Sequence, residues 1–273
     1  NAYDFYKDGF YYNIYGETSA MVTYDKVSDS PVKTYSGDVI IPSSVTYNGK
    51  VYPVTVIGPH AFENCTDLTS VTIPESVTVI MDYAFRNCTS LTSITIHKSV
   101  TKIDHSAFER SSELQSITVA ADNPCYTSLD GVLFNKDKTT LLLYPEGKQG
   151  AYTIPNHVKT IGRSAFSNCK KLTSVTIPNS VTEIGASAFM SCWGLTSVTI
   201  PNSVTEITRY SFWGCWKLVS VTIPESVTSI GSYAFDGCNY LESIQLLGKT
   251  PPTLRRNSFS SYEAKLHVPQ NCI

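Results

Sequence analysis

Two glutamates come nearest, by type and spacing, to a catalytic arrangement. Glu183 and Glu206 stand 23 residues apart in segments of nearly the same sequence. Because equal positions of a repeat lie close together, these carboxylates could serve as a glycosidase-like acid and base. Other copies of the segment hold Val79, Lys102, Thr160 and Ser229 at this position. That mixture of residue types favours a solvated edge over an active site.

No other group of residues points to a catalytic or metal centre. The five histidines have no pair at ligand spacing. Asn135, Asp137, Thr139 and Glu146 imitate part of a calcium loop, but Thr140 stands where that loop requires glycine. The motifs of nucleotide-binding proteins and serine hydrolases are also missing. The sequence therefore predicts a non-enzymatic protein without cofactor or metal.

An aromatic cluster in the second half of the chain is typical of a binding surface instead. Its members are Trp193, Trp213, Trp216, Tyr210, Tyr233 and Tyr240. Corresponding positions elsewhere hold Lys170, Thr66, Thr89, Ser112, Ser187 or Arg86. Tryptophan and tyrosine often carry the binding energy of protein interfaces. We interpret the six aromatic residues as a candidate partner-binding site, with partly exposed packing as the alternative.

The chain that positions these residues is built from copies of one segment of 23 residues, 172–194. The copies are marked by phenylalanines at that spacing, and only the last follows one residue late. They are Phe62, Phe85 and Phe108, then Phe166, Phe189, Phe212, Phe235 and Phe259. A fixed period in this range predicts a solenoid, because one copy cannot bury its own apolar face.

Each copy contains a strand, a second extended run and a compact turn. Leu172, Val175 and Ile177 form an L-x-x-V-x-I pattern that predicts a strand with one buried face. A second short strand is expected over 181–184, and the A-F-x-x-C sequence over 188–192 predicts a turn of helix. The expected fold is therefore an α/β solenoid.

This pattern resembles the leucine-rich repeat of bacterial surface proteins of the BspA type. The resemblance covers about residues 36–269, and eight positions of the unit recur in register. It implies a right-handed coil of parallel strands with short helical turns. It also implies adhesion, with a protein partner such as a host matrix or cell-surface component, and a secreted or cell-surface location.

The repeats divide the chain into three parts. Residues 1–35 lack the repeat and are expected to form a β-hairpin cap, and residues 36–269 form the solenoid. Within the solenoid, residues 120–150 break the period. There, 130–134 and 139–144 are predicted to be the strands of an inserted hairpin around a polar turn. Residues 248–273 resemble a C-terminal capping unit.

Cysteine positions predict thiols rather than disulfides. Six of the eight cysteines fall on one core position of the repeat, and Ser111 takes that place in one copy. Side chains stacked at one position point in the same direction, so we expect buried free thiols. Cys125 and Cys272 lie outside this position and are the candidates for reaction or pairing.

Net charge and the length of apolar runs limit the classes of molecule that the protein could bind. A formal net charge of −2 gives no electrostatic reason to expect nucleic acid. No apolar run reaches the roughly 18 residues that a membrane-spanning helix requires, and the given chain shows no secretory signal. The leading prediction is a recognition module for a protein partner. A glycan-binding module is the alternative, and its sign would be two coplanar surface aromatic rings.

Overall fold

The computed structural model describes residues 3–25, 35–260 and 264–269, and the chain forms two compact units, Asn1–Lys136 and Asp137–Ile273. Strands are the only regular secondary structure among the described residues. The first unit contains β1 (Phe5–Lys7), β2 (Phe10–Tyr15), β3 (Ser19–Thr23), β4 (Gly37–Ile40), β5 (Ser44–Tyr47), β6 (Lys50–Ile57), β7 (Leu68–Thr72), β8 (Val79–Ile80), β9 (Ser93–Ile96), β10 (Lys102–Ile103), β11 (Ser116–Val119), β12 (Tyr126–Leu129) and β13 (Val132–Asn135).

The second unit continues the numbering. Its strands are β14 (Thr140–Leu143), β15 (Gly150–Thr153), β16 (Thr160–Ile161), β17 (Leu172–Thr176), β18 (Glu183–Ile184), β19 (Ser197–Thr199), β20 (Glu206–Ile207), β21 (Ser220–Ile223), β22 (Ser229–Ile230), β23 (Ser243–Leu246), β24 (Thr253–Leu254) and β25 (Lys265–His267).

Both units are solenoids of parallel strands. In the first unit β7 pairs with β4 and β11 with β9, while β6, β8 and β10 form a second ladder. In the second unit β19, β21, β23 and β25 pair in sequence, and β20, β22 and β24 form the second ladder. Partners stand one repeat apart, as in the pair Val198 and Val221. Their buried side chains and the exposed Thr199 follow the predicted alternation.

The predicted helical turns, and with them the α/β class, are wrong, since the described residues contain strands and no helix. The segment around each core phenylalanine makes two alternating kinds of hydrogen bond. Glu63 N donates to His60 O three residues back, at 3.1 Å. The other kind of hydrogen bond joins two repeats. Phe62 N donates to Ala84 O in the following repeat at 2.7 Å. Every second backbone amide thus donates to the neighbouring repeat. A third set of hydrogen bonds between repeats therefore stands in place of the expected helix.

The phenylalanines form the centre of each core. All but Phe259 in the two series are at most 2% exposed, and neighbouring rings stack face to face. A tyrosine begins each column, with Tyr35 on Phe62 at 4.6 Å between ring centroids and Tyr144 on Phe166 at 5.0 Å. Later ring spacings in the two columns are 5.0 and 5.5 Å, then 4.7, 5.2, 5.2 and 5.0 Å.

Antiparallel hairpins begin and interrupt the first unit. β1, β2 and β3 pair in order, and β3 pairs in parallel with β6. The hairpin of β5 and β6 turns at Asn48-Gly49, where both residues have the positive φ that a two-residue hairpin turn requires. Within the insertion, β12 and β13 pair across Asp130-Gly131, which the sequence interpretation placed inside a strand. Both turn residues have positive φ, at 50° and 77°, and this explains the tight reversal there.

Candidate partner-binding site

The six aromatic residues of the predicted site lie on one column of turns in the second unit. Successive turns are joined by backbone bonds, such as Phe189 N to Ser211 O at 2.7 Å and Phe212 N to Ala234 O at 2.8 Å. These bonds hold equal positions of the repeat one above the other. We call the surface formed by residues 162–171, 185–194, 208–217, 231–240 and 255–260 the turn face.

Trp193 and Trp216 stack across neighbouring repeats on the turn face. Their ring centroids are 5.1 Å apart and their planes differ by 11°. Lys170 occupies the same position one repeat earlier and holds its Nζ 3.9 Å from the Trp193 ring centroid. The indoles are 36% and 50% exposed, so they contribute to the surface and not to the core.

Tyr210 and Tyr233 form a second stack, with ring centroids 5.2 Å apart and planes within 3°. Both have positive φ, 57° and 59°, a backbone conformation that costs most residues about 1–2 kcal/mol. The conformation turns Tyr210 N toward Ser232 O, 3.0 Å away in the next repeat. Ser164 and Ser187 also have positive φ at the equivalent position of their repeats. The backbone conformation therefore does not require an aromatic side chain there.

Trp213 and Tyr240 complete the aromatic surface. Trp213 is 38% exposed, and its Nε1 donates a hydrogen bond of 3.0 Å to Asp236 Oδ2 in the next repeat. Tyr240 is 65% exposed, and its backbone amide donates to Trp216 O at 3.3 Å. The structure therefore brings all six predicted residues onto the same stacked turns.

Stacking decides which part of each ring a partner can reach. Since Trp193 and Trp216 face each other, as do Tyr210 and Tyr233, each ring has one face covered, and Lys170 covers the second face of Trp193. A sugar binds an aromatic platform through exposed ring faces. Neither stack presents two coplanar rings side by side, which was the expected sign of a glycan-binding module.

The paired glutamates lie elsewhere, on the short strands. Glu183 and Glu206 begin β18 and β20, and both side chains are exposed. Their paired neighbours are Thr160 and Ser229. Glycosidase chemistry requires one carboxyl in a partly water-excluded environment. These two side chains are on a solvated edge.

The remaining candidates for chemistry are dispersed. Within residues 3–25, 35–260 and 264–269, no three His, Cys, Asp or Glu side chains meet to hold a metal. The six repeat cysteines are buried, while Cys125 is half-buried and Cys272 lies outside the described residues. No helix among the described residues has the length and apolarity needed to cross a membrane.

Sequence reasoning missed the basic side chains of the turn face. Aligning charges by repeat position, as was done for the aromatic residues, would have found them. Six of these seven basic side chains are exposed, and the seventh, Lys171, is half-buried. The residues are Arg163, Lys170, Lys171, Arg209, Lys217, Arg255 and Arg256.

Known structures share this fold. A leucine-rich cell surface protein of Faecalibacterium prausnitzii is 24% identical, with a TM-score of 0.55 over 89% of this chain and 94% of its own. The pneumococcal vaccine antigen PcpA is 19% identical, with a TM-score of 0.68 over 98% and 94%. A leucine-rich repeat protein from Eubacterium ventriosum is 21% identical, with a TM-score of 0.58 over 98% and 90%. At these identities the likeness shows the fold alone.

The sequence itself shows the family. No curated protein matches the chain. The family model described as the BspA type leucine-rich repeat region matches residues 48–149 and 143–265, with six copies of the repeat. These ranges contain most of the described strands and all the residues of the two tryptophan and tyrosine stacks. The chain belongs to the BspA-type leucine-rich repeat family.

Proposed function

We propose that the chain is a non-enzymatic recognition module that binds a protein partner through the turn face. The observation that carries this proposal is the exposed stack of Trp193 with Trp216, on the same turns as the half-buried stack of Tyr210 with Tyr233. The core of each repeat is already filled by its phenylalanine. The additional rings therefore supply apolar surface that the fold does not use.

The chemistry of the stacks suits a protein interface. Trp and Tyr combine a large apolar area with a polar group that can form a hydrogen bond, and both are common at binding hot spots. Each ring of the stacks is also restrained by its neighbour. These side chains therefore lose little conformational freedom when a partner binds, which favours affinity.

Adhesion at the bacterial cell surface, or after secretion, is the setting that we propose. Support comes from the family, whose description names the BspA type, and from the F. prausnitzii relative, whose name describes a cell surface protein. The proposed partner is a protein such as a host matrix or neighbouring-cell component. Glycan binding is the weaker alternative, because each stacked ring has one of its faces covered by its neighbour and no two rings lie side by side in one plane.

A binding screen tests the proposal. The purified chain is applied to a panel of immobilised host matrix proteins and to a glycan array, together with the variant Trp193→Ala/Trp216→Ala. Tyr15→Ala is the control, since Tyr15 is 42% exposed but lies in the first unit. We expect binding to a matrix protein that the double variant loses and the control retains. Binding that survives the double substitution, or binding to glycans only, would contradict the proposal.

A further inference from the structure

We infer that the turn face recognises an acidic polypeptide segment of its partner, an inference that rests on the proposed function and specifies its chemistry. The turn face carries seven basic side chains and one acidic one, Asp236, a net charge of +6. The whole chain has a net charge of −2. The basic residues are thus concentrated on the surface that also holds the aromatic stacks.

The first unit provides an internal comparison. Its stacked turns, residues 58–67, 81–90 and 104–113, occupy the same part of the repeat. They carry six acidic side chains and two basic ones, Arg86 and Arg110, a net charge of −4. The repeat frame therefore does not demand basic turns, and the charge of the turn face is a property of the second unit.

The aromatic rings add to the attraction for anions. An aromatic ring has a negative face and a positive edge. The Trp193 ring has Trp216 on one face and Lys170 on the other, so a partner can reach mainly its edge, while Trp216 has one face covered by Trp193. A carboxylate at this surface would meet ring edges and neighbouring cations. The positive charge of the turn face and the orientation of its rings therefore both favour an anionic ligand.

Ring orientation also separates an acidic polypeptide from other polyanions. Single-stranded nucleic acid binds by laying bases on aromatic faces, and sugars use the same faces. The two stacks cover many of these faces. An acidic polypeptide can instead place carboxylates on Arg209 and Lys217 and pack apolar side chains against the ring edges. Arg209, Lys217 and Trp213 belong to the same turn, 208–217, so a short segment can reach them together.

Immobilised peptides test the inference with the full chain. The probes are peptides of equal length and apolar content with net charges of −6, 0 and +6, and heparin and a single-stranded oligonucleotide serve as other polyanions. We expect the acidic peptide to bind at least about tenfold more tightly than the neutral one and to weaken with salt, since exposed charges are screened. Equal binding of the neutral peptide, or tighter binding of heparin or the oligonucleotide, would overturn the inference.

Matched charge reversals locate the site. Arg209→Glu/Lys217→Glu should lower affinity for the acidic peptide at least about tenfold. Lys159→Glu/Lys249→Glu changes the total charge equally but lies off the turn face, and it should have little effect. If both variants weaken binding alike, net charge and not the turn face is responsible. A matrix protein that depends on Trp193 and Trp216 but ignores Arg209→Glu/Lys217→Glu would leave the proposed function intact and reject the acidic partner.

Discussion

The Cys192 thiol donates a hydrogen bond to the backbone carbonyl oxygen of Phe166, in the preceding repeat, with Sγ and O 3.1 Å apart. This bond joins two repeats through a carbonyl group of the phenylalanine column. Equivalent bonds join Cys88 to Phe62, Cys215 to Phe189 and Cys238 to Phe212 at 3.1, 3.2 and 3.3 Å.

Ser111 shows which property of the side chain matters at this position. Its hydroxyl donates to Phe85 O at 2.7 Å, the same bond that the thiols make elsewhere. A small side chain with one donor is therefore what the repeat requires. Cysteine meets the requirement and also behaves as an apolar group when buried.

The first prediction separates the donor from the side-chain volume. Cys192→Ala removes the donor and leaves a small void, so it should lower the free energy of unfolding by about 1–3 kcal/mol. Cys192→Ser keeps the donor, as Ser111 does, and should cost less. Urea unfolding followed by circular dichroism measures both. A serine variant that is as unstable as the alanine variant would show that packing, and not the hydrogen bond, explains the recurring cysteine.

The second prediction concerns alkaline pH. Burial raises the pKa of Cys88, Cys169, Cys192 and Cys215 above the usual value of the thiol. Above a pH of about 8.5 the unfolded chain loses these protons while the folded chain keeps them, so stability must fall as pH rises. The contribution of each thiol is fully present below that pH.

The expected loss is large enough to measure. Between about pH 7.5 and pH 9.5 each thiol should remove about 1.4 kcal/mol from the free energy of unfolding. Urea unfolding of the full chain at the two pH values gives the loss, and Cys192→Ser should reduce it by the share of one thiol. A pH dependence that is unchanged in the serine variant would mean that Cys192 ionises equally in the folded and unfolded chain.

The phenylalanine and tryptophan columns could be predicted because they depend on the repeat alone. Residues one repeat apart stack, so Phe189 meets Phe212 and Trp193 meets Trp216 as the spacing indicates. The contact of Lys170 with Trp193 follows from the same rule, but only when charged and aromatic residues are aligned together. The sequence interpretation aligned Lys170 with the aromatic positions but did not align the other charged residues, and so missed the basic surface.

The helical turns were wrong for a different physical reason. The spacing of Ala188, Phe189 and Cys192 is compatible with one turn of helix, and a local pattern shows no more than this. The bond that decides the conformation, Phe189 N to Ser211 O, joins residues in different repeats. Its strength depends on how closely the repeats stack, which is a property of the folded solenoid and not of a short segment.

The third prediction tests a buried amide in the first unit. Asn123 is fully buried, and its Nδ2 donates to His97 O at 2.7 Å and to Val100 O at 2.9 Å. Its Oδ1 accepts hydrogen bonds from the backbone amides of Cys125 and Tyr126 at 2.9 and 2.8 Å. The side chain therefore ties the start of the insertion to the preceding repeat.

Replacing Asn123 should destabilise the first unit through these four bonds. Asn123→Ala leaves buried polar groups without partners and should cost about 2–4 kcal/mol in urea unfolding. Asn123→Asp keeps the two accepted bonds but sets a carboxylate oxygen against two carbonyl oxygens, so it should also be less stable than the original chain. A loss below about 0.5 kcal/mol in both variants would show that water replaces the amide at little cost.

The fourth prediction decides whether the tryptophans belong to the surface or to the core. Trp193 and Trp216 stack on each other and are partly exposed, so Trp193→Ala/Trp216→Ala should lose the ring contact, about 0.5–1.5 kcal/mol, together with the partial burial of two indoles. Phe189 is fully buried in the neighbouring column, and Phe189→Ala should cost about 3–5 kcal/mol. Urea unfolding of the two variants gives the comparison. If the tryptophan variant were as unstable as the phenylalanine variant, the stack would be part of the core, and any loss of partner binding on its removal would reflect unfolding and not a lost contact.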